Sequence, residues 1–403
     1  MKAGIIYDDR EIRLGDTPDP RIGPHEVLVA SSAAGICGTD LHVYRGEFHA
    51  RVTYPAILGH EFGGVVQEVG RNVNDAPGTG AASARNVNDA PGTGAASARN
   101  VNDAPGTGAA SARNVNDAPG TGAASAKRLK VGDRVVVDPI ISCHRCPACL
   151  SGHLNACRTL KLLGIDLDGG FGQYVAVPAD RIYPLPDEIP MTHVPMVEMY
   201  GLGHHVLQRG QVQPGESVAI LGAGKLGLAV LDVLCHSASP ALTIVTDLQP
   251  FRLETARKLG ADHALNIAQE DPLERVLEIT QGVGVDCVIE AVGHYHTVEG
   301  QEAPLAQAVK MIRNGGRIVT AGLGEQLSAV HFKTLVIKEA QIIASRVTLG
   351  EFPRALRLMS RGLLHPELLI THRLPLGDVT AAFDKVDREA PDVLKVVLNV
   401  QEV

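Results

Sequence analysis

The chain has 403 residues, more than one hydrophobic core usually holds, so its length predicts two domains. Its 45 aspartates and glutamates outnumber its 37 lysines and arginines, and the formal net charge of −8 argues against a nucleic-acid partner. No apolar run reaches the ~20 residues that cross a bilayer, and the first residues do not resemble a secretion signal. We therefore expect a cytoplasmic protein with no membrane partner. In a reducing compartment, its seven cysteines suggest metal binding or catalysis before disulfides.

Residues 1 to about 35 carry short alternating apolar runs broken by prolines, which is typical of strands in a small β-rich domain. The stretch from Gly35 to Glu61 follows and suggests half of a catalytic metal site. Cys37 and His60 are ligand types that zinc prefers, and Asp40 can accept a hydrogen bond from the second ring nitrogen of His60. For an isolated pair of this kind, the alternative is a buried structural cysteine and a satisfied histidine.

A tandem repeat interrupts this domain from Arg71 to Ala126. The unit Arg-Asn-Val-Asn-Asp-Ala-Pro-Gly-Thr-Gly-Ala-Ala-Ser-Ala occurs four times in succession. Its one valine per unit cannot build a core, so its composition favours a flexible insertion in one surface turn over a solenoid. Lengthening a loop about tenfold costs only ~2 kcal/mol of closure entropy, which a folded domain tolerates. A partner-binding role is an alternative to a tolerated spacer.

Four cysteines cluster after the repeat and a predicted strand over residues 131–139. They are Cys143, Cys146, Cys149 and Cys157. Three thiols at three-residue spacing and a fourth eight residues on can surround one tetrahedral ion completely, which indicates a structural zinc site. Two disulfides or unrelated core cysteines are the alternatives, and the reducing compartment disfavours them.

A second informative stretch begins with a helix near Met196 that carries Glu198. A buried strand over Ser217–Leu221 then leads into a glycine-rich turn and a helix that runs to about Cys235. The turn residues are Gly222, Gly224, Lys225, Leu226 and Gly227. Such a turn lets the backbone approach a pyrophosphate, whose charge then lies at the amino end of the helix.

The next strand, Leu242–Thr246, ends at Asp247. A carboxylate there can bind both ribose hydroxyls of NAD and would repel the extra phosphate of NADP, although Arg252 five residues later weakens that argument. Helices and strands continue to alternate to residue 345, which predicts a parallel, doubly wound sheet. The tail from Glu351 returns to mixed helix and strand and closes with a strand over Val393–Leu398.

The Cys37/His60 pair, the four-thiol lobe and the glycine turn occur in the order seen in zinc-containing medium-chain dehydrogenases. Over all but the repeat, the chain resembles this family of alcohol, sorbitol and threonine dehydrogenases. The resemblance implies an α/β protein with a β-rich GroES-like catalytic domain and a Rossmann domain. The catalytic domain would comprise residues 1–192 and 346–403, with the NAD-binding domain, residues 193–345, between them and the active-site cleft at their junction.

The resemblance also implies roles for individual residues. Cys37, His60 and Glu198 match the ligands of a catalytic zinc, and the four lobe cysteines match the ligands of a structural zinc. Glu61 would stand close to the catalytic metal and assist ligand exchange, while Thr39 and His42 would relay the proton to solvent. On their own, a turn-stabilising hydroxyl and a surface histidine are the alternatives for these last two. Met-Tyr follows Glu198 where the polyol branch commonly has Pro-Leu, and the repeat has no counterpart in the family.

These roles predict a zinc-dependent oxidoreductase that transfers a hydride from a secondary alcohol, a polyol or a sugar-like compound, to NAD and gives the ketone. An L-threonine 3-dehydrogenase-type enzyme and a non-catalytic nucleotide-binding protein are the alternatives. The family resemblance implies two zinc ions per chain, a small-molecule substrate and a homodimer or homotetramer.

Overall fold

The computed structural model describes residues 1–48, 50–74, 128–293, 302–324, 327–388, 390 and 392–403. Apart from residues 71–74, the tandem repeat lies outside these ranges, so its flexible, disordered-loop character stays a prediction. Among the residues described, no helix has the length and apolar character needed to span a bilayer.

The N-terminal part of the chain is rich in short strands. Its elements are β1 (Lys2–Asp8), β2 (Glu11–Asp16), β3 (Glu26–Gly35), α1 (Gly38–Tyr44), β4 (Ala56–Ile57), β5 (Glu61–Val69), β6 (Arg134–Val137), β7 (Ile140–Ile141), α2 (Pro147–Leu150), β8 (Lys161–Leu162), β9 (Tyr174–Pro178) and β10 (Ile182–Pro184). Here β3 pairs antiparallel with both β5 and β9.

Helix α3 (Pro195–Arg209) leads into a second, α/β part. Its elements are β11 (Ser217–Leu221), α4 (Lys225–Ser237), β12 (Leu242–Asp247), α5 (Pro250–Lys258), β13 (His263–Asn266), α6 (Pro272–Ile279), β14 (Val285–Glu290), α7 (Pro304–Met311), β15 (Ile312–Thr320), α8 (Phe332–Lys338) and β16 (Gln341–Ala344). The six strands form one parallel sheet in the order β13-β12-β11-β14-β15-β16. Since the strand order reverses at β11, this is the doubly wound Rossmann arrangement that the sequence predicts.

The C-terminal part returns to the first domain. It contains α9 (Phe352–Ser360), α10 (Pro366–Leu369), β17 (Ile370–Pro375), α11 (Val379–Asp387) and β18 (Lys395–Asn399). Strands β18 and β17 extend the N-terminal sheet, whose order is β10-β6-β5-β3-β18-β17 with β9 also on β3. Both chain ends therefore build one sheet, and the predicted two-part fold class is confirmed. The domain boundaries at residues 192/193 and 345/346 stay predictions.

Each part has its own buried hydrophobic residues. Phe62, Phe171 and Phe383 are fully buried inside the catalytic sheet. Tyr200 and Phe352 are fully buried where α3 packs against α4 and α9. Helix α3, which carries Glu198, is therefore fixed between the two parts of the chain.

The sequence predicts a strand over residues 169–178. The first half of this prediction is wrong. Only Tyr174–Pro178 forms a strand, and the residues before it turn closely against other backbone. A Cβ atom on Gly169 would lie 2.4 Å from the backbone oxygen of Gly59, so that glycine serves a close backbone approach next to His60.

Candidate active site

A cavity of about 800 Å³ lies between the two parts of the chain. Cys37, His60 and Glu198 line one wall, and Gly224 and Asp247 line the other. The structure thus brings the predicted metal ligands and the predicted nucleotide-binding residues to one cleft.

Cys37 and His60 meet because of strand pairing. Cys37 lies just after β3 and is the residue at the amino end of α1, while His60 directly precedes β5. These strands pair antiparallel with Gly35 opposite Glu61, so their adjoining ends lie side by side.

Buried Asp40 ties the two ligand-bearing segments together. Its Oδ2 accepts a hydrogen bond from the backbone N–H of Cys37 at 2.8 Å, and its Oδ1 accepts one from Gly59 at 3.3 Å. The same Oδ1 lies 3.5 Å from Nδ1 of His60, a buried nitrogen with no hydrogen-bond partner of good geometry among the described residues. Asp40 therefore stands where a carboxylate orients a metal-binding histidine.

Glu61 is the carboxylate whose oxygen groups with the ligand atoms of the pair. The Sγ of Cys37, a ring nitrogen of His60 and a carboxylate oxygen of Glu61 all lie within 4.8 Å of one another. Among the described residues, that group does not include Glu198, which lines the same cavity and is 7% exposed. The assignment of Glu198 as third ligand therefore stays a prediction, and Glu61 becomes a second candidate.

The electrostatics of this wall favour a bound cation. Burial lowers the pKa of His60, but the negative charges of Cys37 and Asp40 more than offset burial and raise that pKa well above 6.5. Burial and then the charge of Glu61 raise the pKa of Glu198 to about 7. A thiolate, an imidazole and carboxylates that together stabilise positive charge are the donor set that zinc requires. The residues present fit a catalytic zinc.

Lys395 is a site residue that the sequence analysis missed. It lies in β18, and its Nζ donates hydrogen bonds to Glu61 Oε1 at 2.8 Å and Oε2 at 2.5 Å. Both side chains are fully buried. A single lysine inside the apolar run Val-Leu-Lys-Val-Val-Leu is the signal that could have found it, because a buried lysine needs a charged partner.

Thr39 and His42, the predicted proton relay, both lie on α1 and line the cavity. The side chain of His42 is 17% exposed and pairs through Nδ1 with Glu47, and its ring stacks on Phe48 at a centroid distance of 5.8 Å. These two contacts fix the side chain of His42, which is largely buried, at the wall of the cavity.

The four lobe cysteines converge as the spacing predicts. Their Sγ atoms all lie within 4.8 Å of one another, with Cys149 at 3.5 Å from Cys146 and 4.0 Å from Cys143. A tetrahedral zinc with Zn–S bonds of ~2.3 Å separates its sulfurs by about 3.8 Å. Backbone N–H groups lower the pKa of Cys143 to about 6, whereas burial raises that of Cys149 to about 12. The lobe fits a structural zinc.

The opposite wall has the features of a dinucleotide site. Gly222 has φ +95°, and a Cβ on Gly227 would lie 1.9 Å from the Gly222 carbonyl oxygen, so both positions need glycine. A Cβ on Gly224 would meet no described atom within 4 Å, which leaves room for a phosphate at the start of α4. Lys225 lines the cavity, and its Nζ donates a hydrogen bond at 3.3 Å to the carbonyl of Ile36, the residue before Cys37.

Asp247 lies at the far end of the nucleotide-binding wall of the cavity. Its Oδ2 accepts a hydrogen bond from the backbone of Ala223 and its Oδ1 one from Gln249, both at 2.8 Å. Each oxygen keeps a further lone pair for a ribose hydroxyl. Arg252 lies 3.9 Å away through a terminal nitrogen, and its Nε is buried without a partner among the described residues.

A glycine-turn Rossmann sheet, a four-thiol lobe and a Cys/His pair at one interdomain cleft define a zinc- and nicotinamide-dependent oxidoreductase. Comparison with known proteins gives the family. Residues 23–112 and 115–187 match the alcohol dehydrogenase GroES-like domain, and residues 226–361 match the zinc-binding dehydrogenase domain. The chain belongs to the zinc-containing medium-chain dehydrogenase family, and it is an enzyme of the alcohol and polyol dehydrogenase type.

Individual relatives cover nearly all of the chain. Sorbitol dehydrogenase from Bacillus subtilis (strain 168) is 29% identical over 99% of this chain and 97% of its own. L-threonine 3-dehydrogenase from Bacillus velezensis is 30% identical over 92% of this chain and 91% of its own. The crystal structure of a short chain alcohol dehydrogenase (rspB) from E. coli CFT073, complexed with NADH, has 30% identity and a TM-score of 0.78, with 99% of each chain covered.

Proposed function

We propose that this enzyme oxidises a secondary alcohol of a polyol or sugar-like compound to the ketone, with NAD as hydride acceptor and a zinc ion held by Cys37, His60 and a carboxylate. The single observation that carries this proposal is the shared cavity, with the ligand pair on one wall and the nucleotide-binding residues on the other. A sorbitol dehydrogenase among the relatives supports the polyol assignment.

A zinc ion held by Cys37, His60 and a carboxylate would supply Lewis-acid chemistry, which lowers the pKa of an alcohol and favours hydride transfer to the nicotinamide. The residues of the chain position the metal ligands and carry the alcohol proton. Asp40 keeps Cys37 and His60 in place, and Glu198 offers an oxygen from inside the cavity. Thr39 and His42 lie on the helix that begins at Cys37, and they give the alcohol proton a route to solvent.

A second zinc in the four-cysteine lobe completes the proposed metal content. We place the enzyme in a reducing compartment such as the cytoplasm, because thiolates that bind zinc must stay reduced and all seven cysteines are free.

A substrate screen tests the proposal. Purified enzyme is assayed for NADH formation with a series of polyols, sugar alcohols and L-threonine, and its zinc content is measured in parallel. We expect two zinc ions per chain and a polyol as best substrate. L-Threonine as best substrate would replace the polyol assignment, and NAD binding with no turnover of any alcohol would refute the proposal.

The zinc measurement in that experiment also shows which carboxylate, Glu198 or Glu61, is the third zinc ligand. Glu198→Ala should lower the zinc content from two to one per chain and leave the zinc of the thiolate lobe in place. The companion variant is Glu61→Gln/Lys395→Met, which removes the second carboxylate together with its buried partner. If this double variant folds and loses the zinc while Glu198→Ala keeps it, then Glu61 is the third ligand.

Cofactor preference should depend on Asp247. In Asp247→Asn the negative charge that repels the 2′-phosphate is gone, while the amide oxygen can still accept a backbone hydrogen bond. We expect the ratio of kcat/KM with NADP to kcat/KM with NAD to rise about tenfold or more, because like charges in contact cost several kcal/mol. Initial rates with both cofactors give this ratio.

The rise in this ratio should depend on Arg252, because its guanidinium no longer faces the charge of Asp247 and can pair with the 2′-phosphate of NADP. The double variant Asp247→Asn/Arg252→Met should therefore lose most of the gain. An unchanged ratio in Asp247→Asn would show that Asp247 does not set cofactor choice.

We further propose that the enzyme is a homodimer joined through β16. This strand is an edge of the sheet that the described residues form, with Ile342 42% exposed on it, and neighbouring α8 exposes Phe332, Val336 and Ile337 by 66–74%. An edge strand with apolar neighbours can pair with its own copy across a two-fold axis.

Light scattering after size exclusion should give a dimer for the wild type and a monomer for Ile342→Lys. Val283→Lys, at another exposed position, should stay dimeric, and a dimeric Ile342→Lys would contradict this interface.

A further inference from the structure

A third group of metal-binding side chains lies outside the active-site cavity and the cysteine lobe. Asp232 and His236 are one turn apart on α4, and His365 lies in the connection between α9 and α10. Their ligand atoms all lie within 4.8 Å of one another. This group therefore joins a Rossmann helix to the C-terminal segment of the chain.

Asp232 is held so that one of its oxygens faces both imidazoles. Its Oδ2 accepts hydrogen bonds from the Tyr200 hydroxyl at 2.8 Å and from the backbone N–H of His365 at 2.7 Å. Its Oδ1 lies 3.0 Å from Nδ1 of His365 and 3.1 Å from Nδ1 of His236. The carboxylate is fully buried, so its orientation is fixed by these contacts.

The imidazoles themselves are accessible. The His236 side chain is 29% exposed and that of His365 is 34% exposed, and their ring centroids are 4.9 Å apart with an interplanar angle of 52°. An ion would approach from the side of the two partly exposed imidazoles, above the buried anionic oxygen.

We propose that Asp232, His236 and His365 form a third metal site, which takes a divalent transition-metal ion such as Zn²⁺. Ligand atoms bound at ~2.0–2.2 Å to a tetrahedral zinc ion are about 3.3–3.6 Å apart. The two O···N separations here, 3.0 and 3.1 Å, would lengthen by a few tenths of an ångström when the ion binds. Two imidazoles and one carboxylate are ligands that zinc accepts, and three protein ligands leave a position for water.

Ion binding needs a change of histidine tautomer and the loss of one hydrogen bond from His236 to the backbone. Without metal, each Nδ1 carries a proton directed at an oxygen, and Nδ1 of His236 also lies 2.8 Å from the backbone oxygen of Asp232. When both rings move that proton to Nε2, the Nδ1 lone pairs become available and no net proton is released.

The bound ion would fasten α4 to the segment between α9 and α10. Helix α4 starts at the glycine turn that receives the cofactor, and α9 packs on α3, the helix of Glu198. Occupancy of this site therefore stabilises the junction of the two parts of the chain, since an ion that binds only the folded state adds to its stability. This inference does not rest on the identity of the substrate.

Calorimetric titration of Zn²⁺ into enzyme that already holds two zinc ions tests the proposal. We expect one further equivalent per chain and a rise of the melting temperature with added Zn²⁺. His236→Ala and His365→Ala should each weaken this third binding event at least tenfold and abolish the rise, while both keep the first two zinc ions. His372→Ala, a partly exposed histidine outside the group, is the control and should behave like the wild type.

Two results would overturn the proposal: uptake of no third equivalent by the wild type, or binding of it by the two variants as tight as in the wild type. If the wild type takes up no third equivalent and the variants melt at a lower temperature than the wild type, the group is only a hydrogen-bonded contact between segments.

Discussion

Lys395→Met should lower the free energy of unfolding by about 3–5 kcal/mol, because it leaves the carboxylate of Glu61 buried without its partner. Both side chains have no exposed surface, and the ammonium contacts both carboxylate oxygens. Burial alone would lower the pKa of Lys395 and raise that of Glu61, yet the attraction between them shifts each pKa the other way. Denaturant unfolding of the zinc-loaded enzyme measures the loss.

Two further variants control for this result. Glu61→Gln/Lys395→Met removes both charges and should recover most of the lost stability. Lys310→Met breaks an ion pair with Glu302 whose partners are 43% and 52% exposed, and it should cost at most about 1 kcal/mol. If Lys395→Met costs no more than Lys310→Met, the buried pair does not stabilise the catalytic domain.

His60→Ala should lower kcat/KM at least about a thousandfold and reduce the zinc content from two ions per chain to one. Lewis-acid stabilisation by zinc is worth several kcal/mol, and each 1.36 kcal/mol changes the rate tenfold. With His60 gone, the remaining thiolate and carboxylates hold the ion too weakly. Steady-state rates and metal analysis of the same sample measure both effects.

His25→Ala is the matched control, since His25 bonds Asn72 at the surface, away from the cavity lining. It should keep two zinc ions and wild-type rates. A His60→Ala enzyme that retains both zinc ions and most of its activity would exclude His60 as a ligand.

Local patterns were sufficient to predict much of the fold. The sequence predicts a strand over Ser217–Leu221, a helix over Pro272–Ile279 and a strand over Val285–Glu290, and the structure has β11, α6 and β14 at these bounds. Buried strands are short continuous apolar runs, and α6 begins at a proline after a capping aspartate. The glycine-rich turn between β11 and α4 was equally predictable from the sequence, because close packing and a positive φ admit few other residues. Helix α8 could not be predicted in this way, because its Phe332, Val336 and Ile337 are exposed and it has no buried helical face.

The active site was harder to predict because its contacts are distant in sequence. Cys37 and His60 could be found from their neighbours, but the contact between Lys395 and Glu61 spans 334 residues and depends on how the C-terminal strand adds to the first sheet. Family position alone suggested Glu198 as a ligand, whereas strand register puts Glu61 beside the pair. Register and strand order are tertiary properties that no local pattern contains.

The most direct test of a zinc-dependent hydride transfer at Cys37 and His60 is reconstitution. The enzyme is treated with a chelator until one zinc ion per chain remains, and NADH formation from its best polyol is followed as Zn²⁺ is returned. We predict that turnover disappears with the first zinc removed and returns in proportion to the zinc restored. Full turnover by enzyme that holds only the zinc of the cysteine lobe would contradict the account.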